Sequence, residues 1–292
     1  MKLQKLITKL AKWIPQPVRI ALRGQHGSPR RFANIIHGIL NRAPVDRYPI
    51  LSCGGPLEGY RMRIDWQIHR AFVYGSWEPE VTRAIEDNTR PGMIVLDIGA
   101  QSGFYTLLLS KLVGSNGKVI AFEPLAANYR LLDENVGLNR LQNVIVEHQA
   151  VADHTGEISF QFPTHEASLI AGPVLDSDNQ GTFMVDCVSL DDFASDRQIQ
   201  VDLIKMDVEG AEDSVLEGAL KSLERFHPVL IIELHHDGGQ PRRHPVPLRL
   251  QALGYTVEWL SERQLTSHIR ATWPMQDVVK CASHGTHSST TN

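Results

Sequence analysis

The stretch VLDIGAQSGF, residues 95–104, has the pattern of a buried strand, a glycine-rich turn and the start of a helix. The apolar run Met93–Ile98 predicts the strand, and Phe104–Val113 predicts the helix. Gly99 allows a sharp turn and a close approach of a ligand to the backbone, whereas Gly103 lets the helix begin close to the sheet. We therefore expect a ligand-binding corner of an α/β sheet at this turn.

Strands and helices alternate along the rest of the chain. Continuous apolar runs predict strands at Lys118–Phe122, Asn143–His148, Asp202–Met206 and Val229–Glu233. Helices are predicted at 79–90, Ala126–Val136, Glu212–Arg225 and near Pro247–Leu253. Added strands are predicted at Gly156–Phe162 and Thr182–Leu190, which alternate with a period of two, and at Tyr255–Trp259. This order predicts an α/β fold with a doubly wound, mostly parallel sheet.

The composition is that of an ordinary globular protein. Of 292 residues, 42% are apolar and 21% are charged, so the chain can bury enough apolar surface to fold. Three cysteines without a CxxC pair argue against a disulfide scaffold and against a zinc site. Because no run of about 18 apolar residues occurs, a membrane-spanning helix is not expected. These features favour a reducing compartment, the cytoplasm.

Charge is distributed unevenly along the chain. Residues 1–47 carry a net charge of +9, and the remainder carries −13. We divide the chain into a basic N-terminal helix with an irregular extension (1–60), one α/β domain (61–281) and a tail (282–292). The tail is rich in Ser, Thr and His and is expected to be disordered.

Residues 2–14 show the period of a basic amphipathic helix. Such a helix can dock peripherally on an anionic membrane surface. It can also pack on the acidic body of its own chain or on a second subunit of a homo-oligomer. We favour packing over membrane contact, because exposed apolar stripes promote aggregation.

The glycine turn discriminates between two cofactors that contain adenosine. The dinucleotide fingerprint G-x-G-x-x-G requires glycine where this chain has Gln101. The turn is closer to the one that class I methyltransferases use for S-adenosylmethionine. Asp97 suits a cationic amino group, and Glu123 suits ribose hydroxyls because it ends the next strand. The strand predicted at Asn143–His148 leads into a turn at 149–153, whose small side chains are expected to border the adenine.

A second cluster of ionisable residues follows the strand predicted at Asp202–Met206. Its members are Lys205, Asp207, Glu209 and Glu212. The next predicted strand ends in Glu233 and is followed by His235. Because the carboxyl ends of neighbouring parallel strands meet at one edge, we expect Asp207, Glu209, Glu233 and His235 to face one cleft. The alternative is a purely structural ion-pair network that caps both strands.

Six motifs within about residues 75–260 resemble the FkbM-type family of S-adenosylmethionine-dependent methyltransferases. They are VLDIGAQSGFYT, VIAFEP, AVADHTGEISF, VSLDDF, DLIKMDVEGAE and VLIIELH. The family often has Asn-Ile where this chain has Gln101-Ser102, but both glycines are kept. The resemblance implies a Rossmann-like class I methyltransferase fold and S-adenosylmethionine as cofactor. It also implies methyl transfer, usually to a hydroxyl of a sugar or secondary metabolite, and hence a small-molecule or glycan acceptor.

The predicted site has a cofactor part and a catalytic part. The cofactor residues are Asp97, Gly99, Ala100, Gln101, Ser102, Gly103, Phe104, Tyr105, Glu123, Pro124, Ala150 and Val151. The catalytic residues are Lys205, Asp207, Glu209 and His235. His235 could deprotonate the acceptor hydroxyl, as could Lys205 if burial lowered its pKa. Magnesium or manganese held by Asp207, Glu209 and Glu233 could instead lower the pKa of the hydroxyl.

Three other functions compete with this interpretation. A nicotinamide-dependent oxidoreductase is disfavoured by Gln101 in the glycine turn. A non-catalytic cofactor-binding scaffold is disfavoured by the intact acidic cluster around Asp207. Nucleic acid is a less expected methyl acceptor, because the body of the chain is acidic and phosphate binding requires basic surfaces.

Overall fold

The computed structural model describes residues 49–161, 182–236 and 241–274. The predicted amphipathic helix at 2–14, most of the basic extension and the tail at 282–292 lie outside these ranges. Across the described residues, no helix has the length and apolar character needed to cross a membrane.

The secondary structure follows the predicted alternation. The strands are β1 (Ile50–Ser52), β2 (Arg61–Arg63), β3 (Ile94–Ile98), β4 (Lys118–Phe122), β5 (Val144–Glu147), β6 (Ala150–Ala152), β7 (Gly156–Gln161), β8 (Thr182–Ser189), β9 (Leu203–Met206), β10 (Val229–His235), β11 (Thr256–Glu262) and β12 (Thr266–Thr272). The helices are α1 (Trp66–Tyr74), α2 (Pro79–Asn88), α3 (Phe104–Val113), α4 (Ala126–Leu138), α5 (Leu190–Arg197), α6 (Glu212–Glu217), α7 (Leu220–Phe226) and α8 (Pro245–Ala252). Short 3-10 helices lie at Gly55–Leu57 and Pro241–Arg243.

Seven strands form one sheet in the order β11-β12-β10-β9-β3-β4-β5. From β3 the chain adds β4 and β5 in parallel on one side, and later adds β9 and β10 in parallel on the other side. Only β12 runs antiparallel to its neighbours, between β10 and β11. The predicted doubly wound, mostly parallel sheet is thus confirmed. Its winding direction changes between β3 and β9, and ligands bind open sheets at the carboxyl ends beside such a change.

Successive residues of each central strand face two different apolar cores, because side chains alternate along a strand. Val95 of β3 faces the core that α2 and α3 cover, and Leu96 faces the core that α5 to α8 cover. At the carboxyl ends, the first of these faces carries charged residues instead: Asp97 in β3, Lys205 in β9 and Glu233 in β10. The strand period therefore gathers these three residues on one face of the sheet.

The added strands predicted at Gly156–Phe162 and Thr182–Leu190 are β7 and β8, and they belong to a separate sheet of three strands. The one predicted at Tyr255–Trp259 is β11, at the edge of the main sheet. β8 pairs in parallel with β6 and antiparallel with β7. Residues 149–153 were expected to form a turn, and this expectation is wrong for Ala150–Ala152, which form β6. This segment pairs with Cys187–Ser189 of β8. Its side chains are small and buried, which lets it pack beneath α6.

The helix predicted at Glu212–Arg225 is two helices, α6 and α7, with a break at Gly218. A Cβ atom on Gly218 would lie 2.0 Å from the carbonyl oxygen of Ala152, so the chain here presses directly on β6. The carboxylate of Asp191 accepts hydrogen bonds from the backbone N–H groups of Lys221 and Ser222 at 3.0 and 2.7 Å. This side chain from α5 therefore caps the start of α7 and satisfies donors that the break leaves free.

Gly99 approaches the protein's own backbone, which differs from the predicted approach to a ligand. Its φ is +79°, and an added Cβ would lie 1.8 Å from the carbonyl oxygen of Asp207. The backbone N–H of Asp207 also donates to the carbonyl of Ile98 at 2.9 Å. The absence of a side chain at Gly99 thus lets the ends of β3 and β9 come together.

We predict that G99A destabilises the fold much more than G92A. Gly92 also has a positive φ, +89°, but a Cβ there would meet nothing within 4 Å. G92A should therefore cost only the strain of that conformation, about 1 kcal/mol, while G99A should lose roughly a further 1–3 kcal/mol from the clash. Urea unfolding of both variants measures the difference. Equal losses would show that β3 and β9 do not need this close approach.

Candidate active site

The glycine turn is held by hydrogen bonds to the end of β4. The N–H groups of Gly99 and Ala100 both donate to the carbonyl of Phe122 at 3.0 Å. The N–H of Gln101 donates to Glu123 Oε2 at 2.8 Å. Gln101 has a φ of +50°, so it adopts a left-handed conformation although it is not glycine. The turn is therefore strained and is stabilised by the neighbouring strand.

Glu123 is buried and serves as the anchor of this turn. Its second oxygen accepts from the N–H of Leu125 at 2.9 Å, and the side chain of Asn128 donates to it at 3.5 Å. Burial raises the pKa of Glu123 to about 7, despite these hydrogen bonds. Each carboxylate oxygen has two lone pairs, so the predicted contact with a ribose remains chemically available.

Asp97 is fully buried and lies opposite Lys205. Its Oδ2 accepts a hydrogen bond of 2.6 Å from the hydroxyl of Thr106, whereas Oδ1 takes none from the described residues. Lys205 Nζ lies 3.8 Å from Oδ1. Burial raises the pKa of Asp97, although Lys205 opposes the shift. The cation that Asp97 meets here is Lys205, and its contact with a cofactor ammonium stays a prediction.

The other predicted cofactor residues line the turn and its surroundings. Ser102 Oγ is buried without a hydrogen-bond partner among the described residues, and Phe104 stacks on Phe72 of α1. Gly103 has a φ of +93°, and a Cβ there would lie 2.6 Å from Leu132 Cδ1 of α4. Gly103 thus allows α3 and α4 to pack closely. Pro124 follows Glu123 after the end of β4, and Ala150 and Val151 lie in β6; their contact with a cofactor stays a prediction.

Lys205 and Asp207 form the centre of the second cluster. Lys205 is buried, with Nζ 3.6 Å from Asp207 Oδ2 and 4.9 Å from the ring centroid of Tyr105. Burial lowers the pKa of Lys205, but Asp207 and Asp97 outweigh it and raise the pKa above its ordinary value. A raised pKa disfavours Lys205 as a base, because its ammonium group then keeps its proton at neutral pH.

His235 lies among three carboxylates. Its Nδ1 is 2.8 Å from Glu212 Oε1, and its Nε2 is 3.3 Å from Glu209 Oε2 and 3.9 Å from Asp207 Oδ1. Burial lowers the pKa of His235, but the hydrogen bond to Glu212 and the charge of Asp207 outweigh it and raise the pKa to about 9. The raised pKa disfavours His235 as a general base, because a protonated imidazole has no lone pair to accept a proton. Both cations instead stabilise the Asp207 carboxylate.

The structure only partly assembles the predicted metal ligands. Ligand atoms of Asp207, Glu233 and His235 lie within 4.8 Å of one another. Glu209 is absent from this group, and its side chain is 72% exposed and directed to His235. Of the predicted set Asp207, Glu209 and Glu233, the structure therefore groups only Asp207 and Glu233.

Sequence reasoning missed the residues around Glu78. Glu78 precedes α2, with a φ of +33°, and its carboxylate accepts hydrogen bonds from Tyr105 at 2.8 Å and Arg263 at 3.1 Å. His268 of β12 lies between Glu78 and Glu233 of β10, and these two carboxylates raise the pKa of His268 to about 9 against the lowering effect of burial. β12 has no apolar run, since its central residues Ser267 and His268 are polar, so no periodicity predicted it.

Known methyltransferases share this sequence pattern. Residues 97–261 match a family described as "Methyltransferase FkbM domain". A search of curated proteins found no significant match. Among solved structures, methyltransferase FkbM from Methylobacillus flagellatus KT is 16% identical, with a TM-score of 0.43, over 72% of this chain and 56% of that chain. A SAM dependent methyltransferase from Aquifex aeolicus is 20% identical, with a TM-score of 0.39, over 66% and 88%. A putative rRNA-methylase from Clostridium thermocellum is 13% identical, with a TM-score of 0.44, over 65% and 92%. At these TM-scores, the assignment depends on the family match alone.

The raised pKa of Glu123 predicts a specific pH dependence of stability. Because its pKa is about 7 in the folded chain against an ordinary 4.5, the folded state binds a proton that the unfolded state has lost between these values. Stability should therefore fall as pH rises through this window, by up to about 1.4 kcal/mol per pH unit, and E123Q should lack this loss. Urea unfolding from pH 4.5 to 8 measures it, with E224Q on the exposed face of α7 as the control. Parallel pH profiles for wild type and E123Q would contradict the assignment.

Proposed function

Because residues 97–261 match the FkbM methyltransferase domain, the chain belongs to this family of S-adenosylmethionine-dependent methyltransferases, and we propose that it methylates a hydroxyl oxygen of a small molecule or glycan. The family match favours methyl transfer over nicotinamide-dependent oxidation, in agreement with Gln101 in the glycine turn. The observation that carries the proposal of O-methylation is the state of the Asp207 carboxylate.

The glycine turn has the chemistry that S-adenosylmethionine requires. Asp97 Oδ1 and Ser102 Oγ are buried at the turn without hydrogen-bond partners among the described residues. Buried polar atoms of this kind are normally satisfied, so their presence on both sides of the turn supports a polar ligand. Glu123 ends the neighbouring strand with unused lone pairs, and the turn itself, residues 97–104, contains no Lys or Arg to pair with a phosphate. These residues fit a cofactor with an amino acid, a ribose and no phosphate.

Asp207 is placed to accept the proton of an acceptor hydroxyl. It follows the end of β9 beside Gly99, and its side chain is 29% exposed. Across the described segments, its carboxylate takes no hydrogen bond, because Lys205 and His235 lie at ion-pair distances of 3.6 and 3.9 Å. Burial raises the pKa of Asp207, which brings it closer to the value that suits a base at neutral pH. A carboxylate that takes no hydrogen bond and has a raised pKa, at the switch point of the sheet, favours proton transfer from oxygen.

The neighbouring residues orient this base and exclude water. S-adenosylmethionine supplies an activated methyl group when bound. Lys205 fixes Asp207 from the buried side, and His235 fixes it from the open side, so the carboxylate is held with little freedom to move. The buried ring of Tyr105 packs against Lys205, with Phe104 beside it, so these rings exclude water from the buried side of the cluster. Asp207 would take the proton that an acceptor hydroxyl loses when it is methylated.

We predict that D207N lowers the turnover number by roughly 100- to 10,000-fold, the contribution typical of a positioned base. Affinity for S-adenosylhomocysteine should stay within about tenfold, because the cofactor residues are unchanged. An acceptor is first selected with tritiated methyl donor from panels of sugars, glycosylated metabolites and RNA. Turnover and calorimetric binding are then measured, with D213N as a matched control, because Asp213 on α6 instead pairs with Arg249.

Each outcome has a defined meaning. Full turnover of D207N would exclude Asp207 as the base. Binding of S-adenosylhomocysteine without transfer to any acceptor in the panels would support the cofactor-binding scaffold instead. Transfer to RNA alone would contradict the proposed acceptor class while leaving methyl transfer intact.

A further inference from the structure

We propose that Glu78, Glu233 and His268 form a binding site for one divalent first-row transition-metal ion such as Mn²⁺. The three residues come from the start of α2, from β10 and from β12. Their ligand atoms all lie within 4.8 Å of one another. An ion at about 2.0–2.2 Å from each atom, the usual length for carboxylate and imidazole ligands, fits a group of this size.

His268 indicates that a cation belongs between the two carboxylates. The residue is 1% exposed, and its Nε2 has no hydrogen-bond partner among the described residues. Nε2 nevertheless lies 3.3 Å from Glu233 Oε2 and 3.4 Å from Glu78 Oε1. An unprotonated Nε2 would turn its lone pair toward two carboxylates, which is repulsive, so this position requires either a proton or a metal ion. Neither contact has the geometry of a hydrogen bond, so a proton on Nε2 would be poorly bonded to the two carboxylates. A metal ion could bind Nε2 and both carboxylates at once.

Neighbouring side chains orient the ligands as in protein metal sites. His268 Nδ1 lies 2.8 Å from Ser261 Oγ, and in the tautomer that donates from Nδ1 the other nitrogen presents its lone pair to Glu78 and Glu233. Tyr105 donates to the far oxygen of Glu78 at 2.8 Å. Metal-binding imidazoles and carboxylates usually carry hydrogen bonds of this kind on the side away from the ion.

The register of the sheet also preforms the site. Glu233 and His268 are direct partners in the antiparallel pair of β10 and β12, so their side chains point to the same face. Glu78 reaches them from the strained residue before α2, whose φ of +33° is unusual for a side-chain-bearing residue. Strain of this kind persists where surrounding contacts require it. A bound ion would join the start of α2 to the sheet.

The local charge admits a dication of the proposed type. Glu78 and Glu233 bring two negative charges, and the nearby Arg263 is shared between Glu78 and Glu80. Lys205 is already paired with Asp97 and Asp207. Two carboxylates with one imidazole suit manganese, iron or zinc better than magnesium or calcium, which prefer oxygen ligands.

Titration of the full chain with Mn²⁺, followed by the electron paramagnetic resonance signal of the free ion, tests the site. We expect one ion per chain, with affinity at least tenfold weaker in E78Q and H268Q. The bound ion should show a nitrogen coupling from an imidazole in electron spin echo spectra, and H268Q should lose it. E258Q, on the exposed surface of β11, removes the same charge and should bind as wild type does.

H235Q separates this site from the neighbouring group of Asp207, Glu233 and His235, and it should leave Mn²⁺ affinity unchanged within about twofold. Loss of binding and of the nitrogen coupling in H235Q, with retention of both in H268Q, would overturn the assignment, as would an ion without nitrogen coupling in the wild-type chain. Absence of stoichiometric Mn²⁺ binding at millimolar concentration would also overturn it and leave His268 as a protonated ion-pair partner. Since binding is measured directly on wild type and does not require turnover, its outcome is independent of the proposed methyl transfer. Circular dichroism of each variant shows whether a loss reflects misfolding.

Discussion

A single buried ammonium group, Lys205 Nζ, determines how the switch point of the sheet is arranged. It lies between Asp97 of β3 and Asp207 after β9, at 3.8 and 3.6 Å. A buried charge costs several kcal/mol to desolvate, and removing one partner of such a pair typically costs about 3–5 kcal/mol. Neither carboxylate can therefore move far from Lys205 without leaving an uncompensated charge. The position of the proposed base follows from this requirement rather than from a hydrogen bond of its own.

The alternation of side chains along the strands explains why the other charges lie on the same face. Two residues before Asp97, Lys205 and Glu233, the same face of each strand carries an apolar residue. His268 faces Glu233 across the antiparallel pair of β10 and β12. One face of the sheet thus changes from apolar core to a polar cluster at its carboxyl edge. α2 and α3 cover this face, so Glu78 and Tyr105 join the cluster from above. On the opposite face, the strand-end residues Ile98, Met206 and Leu234 stay apolar and pack in the core that α5 to α8 cover.

The parts of the fold that depend on local sequence could be predicted, and those that depend on distant contacts could not. Long apolar runs and the glycine turn predicted β3, α3 and β4 within one residue of their bounds, because burial and chain geometry alone require them. The break at Gly218 depends on the backbone of β6, which is distant in sequence, and periodicity does not report it. In the same way, the motif predicted that Asp207 and His235 come together, but not their protonation. The protonation of Asp207 depends on its distance from Lys205, and that of His235 on its distance from Glu212. Only the folded chain defines these distances.

Backbone strain is concentrated around this cluster. Of the described residues other than glycine that have a positive φ, three border the site: Glu78 at +33°, Gln101 at +50° and Glu209 at +53°. Each such conformation costs on the order of 1 kcal/mol and persists only where surrounding contacts hold it. Here the contacts are the Tyr105 and Arg263 hydrogen bonds to Glu78, the Glu123 hydrogen bond to Gln101, and the pairing of Glu209 with His235. Glycine at any of these positions would relieve the strain but would remove the side chain that makes the contact. The carboxyl edge of the sheet therefore gives up stability to bring specific polar groups together, which is the pattern expected where a fold binds and orients a reacting ligand.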